Sequence, residues 1–335
     1  DQDPLYKLPL NVGNGAGRIT VTSGDLTVFG EYAHKINDPS ATNGYIYKDG
    51  SATFLSATYS SKGFGFTMAA KRIDNMSYRS DRTASGNSLI INYLPATTKN
   101  HTYLLAALYP YATQPNGEYG LQGEVFYHFK KGSFFGGDYG SDFTVNYSRA
   151  QAIDKTPAGN DMGYTSDFFK FGDQVYFEDL NAEYHRRFSK KFMGNFTAMY
   201  QDYNKDVVQG RSGFGHIYST IAVVELSYKL DSKHNIRTEI QHLYTKQDQQ
   251  SWAVLLAEYT VSPHWFFAAF DQYNYGNKIA EDRFHYYTGT MGYIRGANRI
   301  QVGYGRQRAG IFCVGGVCRN VPASNGFSMT ITSSF

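Results

Sequence analysis

Along most of this chain the apolar residues fall at every second position, in runs of about ten, with polar turn segments between the runs. The last nine residues show the pattern. Phe327, Met329, Ile331 and Phe335 share one face, and Ser328, Thr330, Thr332 and Ser334 share the other. A strand points successive side chains to opposite sides, so each run carries one apolar face and one polar face. Any half-buried strand alternates in this way, so the weight lies in recurrence. Capped amphipathic helical segments of useful length are not found.

Two kinds of connection take turns between the runs. Short polar turns lie at 61–63, 189–191, 231–234, 262–264 and 297–299, with somewhat longer ones at 95–100 and 130–137. Longer connections rich in Gly, Asn and Asp lie at 36–50, 75–86, 150–170, 204–213, 277–283 and 311–324. Short turns alternating with long loops are the asymmetry of outer-membrane barrels, which place turns in the periplasm and loops outside. The resulting strands are 22–35, 51–60, 64–74, 87–95, 101–112, 119–129, 139–149, 175–188, 192–203, 216–230, 235–246, 251–261, 265–275, 284–295, 299–309 and 325–335. The prediction is an all-β, membrane-spanning, antiparallel up-and-down β-barrel of about sixteen strands over residues 22–335. Both termini then lie on the periplasmic side. Residues 1–21 read as a periplasmic leader, with a tail folded into the barrel mouth as the alternative, because 11–17 is glycine-rich and loop-like.

The facing pattern assigns a polar interior. In 175–188, Leu180, Ala182, Tyr184 and Phe188 oppose Asp179, Asn181, Glu183, His185 and Arg187. In 216–230, Tyr218, Ala222, Val224, Leu226 and Tyr228 oppose Ser219, Glu225, Ser227 and Lys229. The lumen-facing polar candidates are Glu124, Asp179, Glu183, Arg187, Glu225, Lys229, Arg237, Glu239, Glu258 and Asp271. Such a lining either screens solutes in a water-filled pore or pairs internally and fills the space. About sixteen strands fall in the range where a lumen stays open.

Composition changes the picture in three places. Mean hydropathy is −0.45, and no stretch is apolar enough for a transmembrane helix. A barrel has no such requirement, because only alternate residues meet lipid. Tyr (29) and Phe (24) are abundant, as expected of rings that collect at membrane interfaces. Trp265-Phe266-Phe267, Tyr286-Tyr287 and Tyr109-Pro110-Tyr111 fall near predicted strand ends and read as such a girdle, or as sugar-stacking surfaces. The net charge of +3, without a basic cluster interleaved with aromatics, argues against nucleic acid.

Cys313 and Cys318 flank Val314-Gly315-Gly316-Val317, where the glycines can supply the positive φ angles of a hairpin turn. The cysteines would then face each other as a disulfide in an oxidising compartment. Two thiols alone lack the ligands of a tetrahedral metal site. Arg306, Arg308 and Arg319 nearby could receive an anionic partner or lipopolysaccharide, or be ordinary solvated charges. No catalytic motif is present, since both the Gly-x-Ser-x-Gly elbow and His-Glu-x-x-His are missing. Histidines such as His128, His185, His216 and His285 are scattered over separate strands. Neither an enzymatic role nor a cofactor is expected.

The stretches Lys71-Arg72-Ile73-Asp74-Asn75-Met76, Asn92-Tyr93-Leu94-Pro95-Ala96, Leu108-Tyr109-Pro110-Tyr111-Ala112-Thr113-Gln114 and Cys313-Val314-Gly315-Gly316-Val317-Cys318-Arg319 resemble an uncharacterised family of Bacteroidota outer-membrane proteins. The resemblance runs from about Asp25 to the end and implies location and fold, with no activity to carry over. It also implies a longer N-terminus, which makes sixteen strands a lower bound. The leading expectation is a passive, porin-like channel for small hydrophilic solutes. Its rival is a structural or accessory subunit of a larger outer-membrane complex with an occluded lumen, meeting other outer-membrane proteins or lipoproteins.

Overall fold

The computed structural model describes residues 7–84, 88–92, 94–314 and 317–334, with the side chains of 310–320 outside the description. Alternation produces the strands that it predicts over most of the chain. In order they are β1 (Asn14–Ser23), β2 (Leu26–Lys35), β3 (Gly50–Ser61), β4 (Phe64–Asp74), β5 (Gly117–Phe129) and β6 (Ser141–Ile153). A two-residue pair, β7 (Thr156–Pro157) and β8 (Tyr164–Thr165), decorates the next loop. There follow β9 (Phe171–Arg187), β10 (Phe192–Asn204), β11 (His216–Lys229), β12 (His234–Tyr244), β13 (Trp252–Val261), β14 (Trp265–Tyr273), β15 (His285–Arg295) and β16 (Asn298–Gln307). A loop hairpin, β17 (Gly310–Val314) and β18 (Val317–Val321), precedes β19 (Ser324–Thr332).

Fifteen of these strands form one antiparallel up-and-down sheet in the order β1-β2-β3-β4-β5-β6-β9-β10-β11-β12-β13-β14-β15-β16-β19. Tight turns join the strands at one end. Lys62-Gly63 links β3 to β4, and Gly63 sits at φ 81, a left-handed backbone that L side chains avoid. Long loops lie at the other end. This is the meander of transmembrane barrels, although among the described residues no ladder joins β1 to β19.

Two departures from the predicted strands matter. Residues 14–23 form β1 and not part of a leader, paired with β2 from Asn14↔Lys35 to Ser23↔Leu26. The glycines at 13, 15 and 17 hide the alternation, but Ile19, Val21 and their polar neighbours continue it, and the backbone ladder needs no side chains. The described residues of the predicted strands 87–95 and 101–112 belong instead to an insert between β4 and β5 (residues 75–116), which has no named strand among its described residues. So sixteen becomes fifteen, as two strands drop out and one is added. β1 also begins at the loop end, beside the 36–49 loop, so the start of the sheet lies opposite the end predicted for it.

The outer face of the sheet is apolar. Leu55, Ile240, Leu255 and Tyr287 on four different strands are each 51–54% exposed, and Met68, Met291 and Val302 extend the belt. A continuous apolar surface of this kind suits hydrocarbon and not water. The aromatic group at 265–267 splits as a strand must. Trp265 and Phe267 face out, while Phe266 is buried on the inner face.

Candidate functional site

The inner face of the sheet and the insert that lies on it form the candidate site. The excursion closes on itself at a neck. Lys71 Nζ, on β4, donates to Pro95 O (2.8 Å) and to Thr113 Oγ1 (2.9 Å), so one ammonium holds both ends. Its ion-pair partner is Glu118 on β5 (2.9 Å), and both side chains are essentially unexposed. Glu118 also accepts hydrogen bonds from Tyr111 Oη (2.5 Å) and the backbone N–H of Gln114 (2.6 Å). Charge pairing, two neutral acceptors for Lys71 and two neutral donors to Glu118 offset the cost of burying two charges.

From the neck the chain crosses the inner face. Lys99 pairs with Glu124 (3.4 Å) and Glu183 (3.0 Å), and His101 Nε2 meets Asp179 Oδ2 at 2.7 Å. Asn195 Nδ2 donates to Tyr103 Oη (2.7 Å), and Tyr103 Oη lies 3.4 Å from Glu225. The backbone N–H of Leu105 donates to Gln241 Oε1 (2.8 Å), and Tyr109 Oη donates to Asp248 (3.1 Å). The partners sit on β5, β9, β10, β11, β12 and the 245–251 loop, so the sheet curls around the insert.

Apolar packing reinforces these bonds. Leu105, Ala106 and Tyr109 join Met199, Tyr203, Ile217, Ile221, Val223, Leu243 and Val254 in one buried cluster on the inner side of the sheet. Tyr109 packs on Tyr203 with ring centroids 5.4 Å apart, and Tyr111 stacks on Phe177 at 5.1 Å. Leu105 is 0% exposed. The interior is therefore a hydrophobic core toward the loop end, not a wet lumen throughout. The aromatic group at 109–111 belongs to this core and to the neck, not to a membrane girdle.

Below the insert, toward the turn end, lies a charged layer. Arg237 binds Glu225 (2.8 Å), Glu258 (2.7 Å) and Glu239 at once. A small cavity of about 120 Å³ is lined by this cluster and by residues 102–104. A larger cavity of about 630 Å³ lies between the β1–β4 wall and the first half of the insert, lined by Arg18, Phe29, Phe54, Ile91 and Leu94 among others.

Seven sequence-selected residues converge here: Glu124, Asp179, Glu183, Glu225, Arg237, Glu239 and Glu258. Arg187 and Lys229 share the inner face but sit exposed at the turn end, where Arg187 lies over the Tyr139 ring at 5.5 Å. Asp271 does not belong with them. Its register partners Leu255 and Tyr287 face out, and Asp271 is outside with them, bonded to His285 Nδ1 at 2.8 Å. Strand parity through Phe266 and Ala268 on the inner face places Asp271 outside, against the expectation that it lines the lumen.

Lys71, Glu118, His101 and Tyr103 were not singled out from the sequence. The signal available was Leu104-Leu105-Ala106-Ala107-Leu108, a contiguous apolar run with no alternation. In the structure it makes turns, with Ala107 N–H donating to Tyr103 O (2.9 Å). Cys313 and Cys318 are register partners across the β17–β18 hairpin. Their side chains, the Gly315-Gly316 turn and the Arg319 side chain lie outside the described residues, as does Phe335. Arg306 stacks on Phe284 (3.9 Å) and Arg308 on Trp252 (4.9 Å). Among the described residues no group of three or more His, Cys, Asp or Glu could hold a metal.

Burial pushes the phenols of Tyr109 and Tyr111 well above the ordinary tyrosine value of 10.0, and the nearby Asp248 and Glu118 carboxylates add to the shift. These protons leave the unfolded chain first as pH rises. Stability from the docked insert is therefore complete below pH 10.0 and is lost above it. Thermal unfolding followed by circular dichroism between about pH 9 and about pH 11.5 should show a falling midpoint. The Tyr109→Phe/Tyr111→Phe variant should flatten that fall, and an equal fall in the variant would refute the assignment.

A search of curated proteins finds no match. Among solved structures, a mutant porin of Rh. blastica shares 12% identity, with 87% of this chain and 83% of the porin covered at a TM-score of 0.38. A mutant of the ferric enterobactin receptor of Pseudomonas aeruginosa shares 10%, covering 88% of this chain and 51% of the receptor at 0.41. The siderophore receptor PirA of Acinetobacter baumannii shares 9%, covering 97% and 58% at 0.41. The chain thus spans little more than half the length of those receptors. Over residues 1–335 the chain belongs to the family of unknown function DUF6029.

Proposed function

We propose that this protein is an outer-membrane β-barrel whose interior is closed by its own insert, and that it serves the envelope as a non-catalytic structural or accessory subunit. One observation carries the reading. Leu105, in the second half of the insert, is 0% exposed and is bonded through its backbone to Gln241 on the far wall. A general porin keeps water there; here a packed apolar cluster occupies the space. Partners in this reading are other outer-membrane proteins or lipoproteins, together with the lipopolysaccharide around the outer wall.

A second reading keeps the channel. The cavity of about 630 Å³ beside β1–β4 offers a narrow eccentric path for small hydrophilic solutes. Planar-bilayer recording separates the two. Silence of the wild-type protein, with other envelope proteins co-purifying from native membranes, supports the occluded barrel. Stable conductance steps of general-porin size would refute it.

A further inference from the structure

Lys35, at the loop end of β2, is 0% exposed, and its Nζ has no hydrogen-bond partner among the described residues. A lysine stem normally runs along apolar surface so that the ammonium reaches water, and a buried charge is normally paired. Neither holds here. The register partner of Lys35 is Gly50 on β3, where a Cβ would come within 2.9 Å of the lysine Cγ and Cε. That bare backbone beds the stem and keeps it inside the wall. The acids in its field, Asp38 and Asp49, have other partners. Arg82 Nε donates to Asp38 at 2.6 Å, and Asp49 lies 3.7 Å from His34. The Tyr78 ring centroid is 5.8 Å from Nζ, at the outer limit of a cation–π contact.

Lys35 lines the cavity of about 630 Å³ between the β1–β4 wall and the first half of the insert. Apolar lining comes from both sides: Phe29, Phe54 and Ile73 from the wall, Met76, Ile91 and Leu94 from the insert. Phe29 and Phe54 pack with ring centroids 6.0 Å apart. Tyr78 ties the two sides together, since its Oη donates to Val12 O (3.0 Å) and accepts from Asn14 Nδ2 (2.9 Å). Lys71, the other lysine in the lining, is already paired with Glu118. Glu31 lies four residues along β2 from Lys35, roughly 13 Å away, beside its register partner Arg18. We propose that this cavity binds a small carboxylate with an apolar body. The carboxylate accepts hydrogen bonds from Lys35 Nζ, and the body lies against Phe29, Phe54 and the insert. One ammonium matches one negative charge, which favours a carboxylate over a phosphate dianion. Pockets for small organic ligands run from roughly 300 to 1,000 Å³, with apolar walls and a few placed polar groups. The inference goes beyond both readings above, because binding here requires neither a conducting lumen nor a partner protein.

Titration calorimetry of the full chain in lipid nanodiscs tests this with octanoate and naphthoate. Their neutral counterparts, octanol and naphthylmethanol, are titrated alongside, and empty nanodiscs give the partition background. The expected result is saturable one-to-one binding of at least one carboxylate, with the matching alcohol weaker by about tenfold or more. Lys35→Met removes an unpartnered buried charge and should fold, as heat-modifiable mobility will show. It should weaken carboxylate binding by about tenfold or more and leave alcohol binding unchanged. Phe54→Ala should weaken acid and alcohol alike. Binding of neither carboxylate above background would overturn the proposal. So would an alcohol that binds as tightly as its acid, a folded Lys35→Met of wild-type affinity, or unchanged affinity in Phe54→Ala. The acid-to-alcohol comparison uses the wild-type chain, so it decides the matter even where a variant does not fold.

Discussion

Replacing residues 97–112 by a linker of a few Gly and Ser should give a protein that conducts in stable steps, with the intact chain expected to be silent in the same recording. The geometry makes the deletion practical, because Lys71 touches both Pro95 and Thr113 and the two ends of the excursion are close. Deletion removes Lys99, His101 and Tyr103 from Glu124, Glu183, Asp179 and Glu225. It also exposes Ile217, Ile221, Val223 and Leu243 to the interior. Water then enters along a wall whose Arg237 is outnumbered by Glu225, Glu239 and Glu258. The opened pore should favour cations over anions, since a ring of fixed carboxylates attracts counter-ions. Planar-bilayer conductance and the reversal potential in a salt gradient measure both effects. A deletion variant that folds, shown by heat-modifiable mobility, and remains silent would refute the assignment of the insert as the plug.

Lys71→Met should loosen the neck at a cost of about 3–5 kcal/mol, because it leaves Glu118 charged, buried and without its cation. The side chains are 2% and 0% exposed, so solvent does not screen the loss. The double variant Lys71→Met/Glu118→Gln removes the orphaned charge and should recover most of the stability, since Tyr111 and the Gln114 N–H can still donate to an amide oxygen. Denaturant midpoints of the refolded protein, together with protease cleavage within 97–112, read the effect. Equal stability of the single and double variants would show that Glu118 is not a buried charge dependent on Lys71. Such a double-variant comparison isolates the pair from the loss of Lys71 packing.

Much of the meander was legible because two-residue periodicity is local. A residue's face depends only on its parity within its own strand, and β9 or β11 can be read with no knowledge of neighbours. The same rule explains the placing of Glu183, Glu225 and Arg237 on the inner face. It also explains why Asp271 was misplaced, since parity counted through Trp265 and Phe267 sends it outward. β1 was missed because Gly13, Gly15 and Gly17 contribute no side chain to the pattern, while the ladder is made by backbone. The insert was misread as two strands because Leu89 to Ile91 and Leu104 to Leu108 are apolar, and apolarity alone does not distinguish a strand from a segment packed inside one wall.

One clue to the insert did lie in the chain. Trp252-Ala253-Val254-Leu255-Leu256-Ala257 is apolar on both faces, and a strand wetted on its inner side does not need that. Val254 and Leu256 are each 2% exposed in the structure. A strand buried on both faces announces that something covers its second face, though it does not say what.

The amino-acid order alone determined the β class, the alternation of short turns with long loops, and the charged identity of one strand face, because each follows from interactions within a few residues. Tertiary structure decided that the insert lies against the inner face of the sheet, that Lys71 and Glu118 form a neck, and that Arg237 gathers three carboxylates. Those contacts join residues far apart in sequence, as with Leu105 and Gln241, and only the curl of the sheet brings them together.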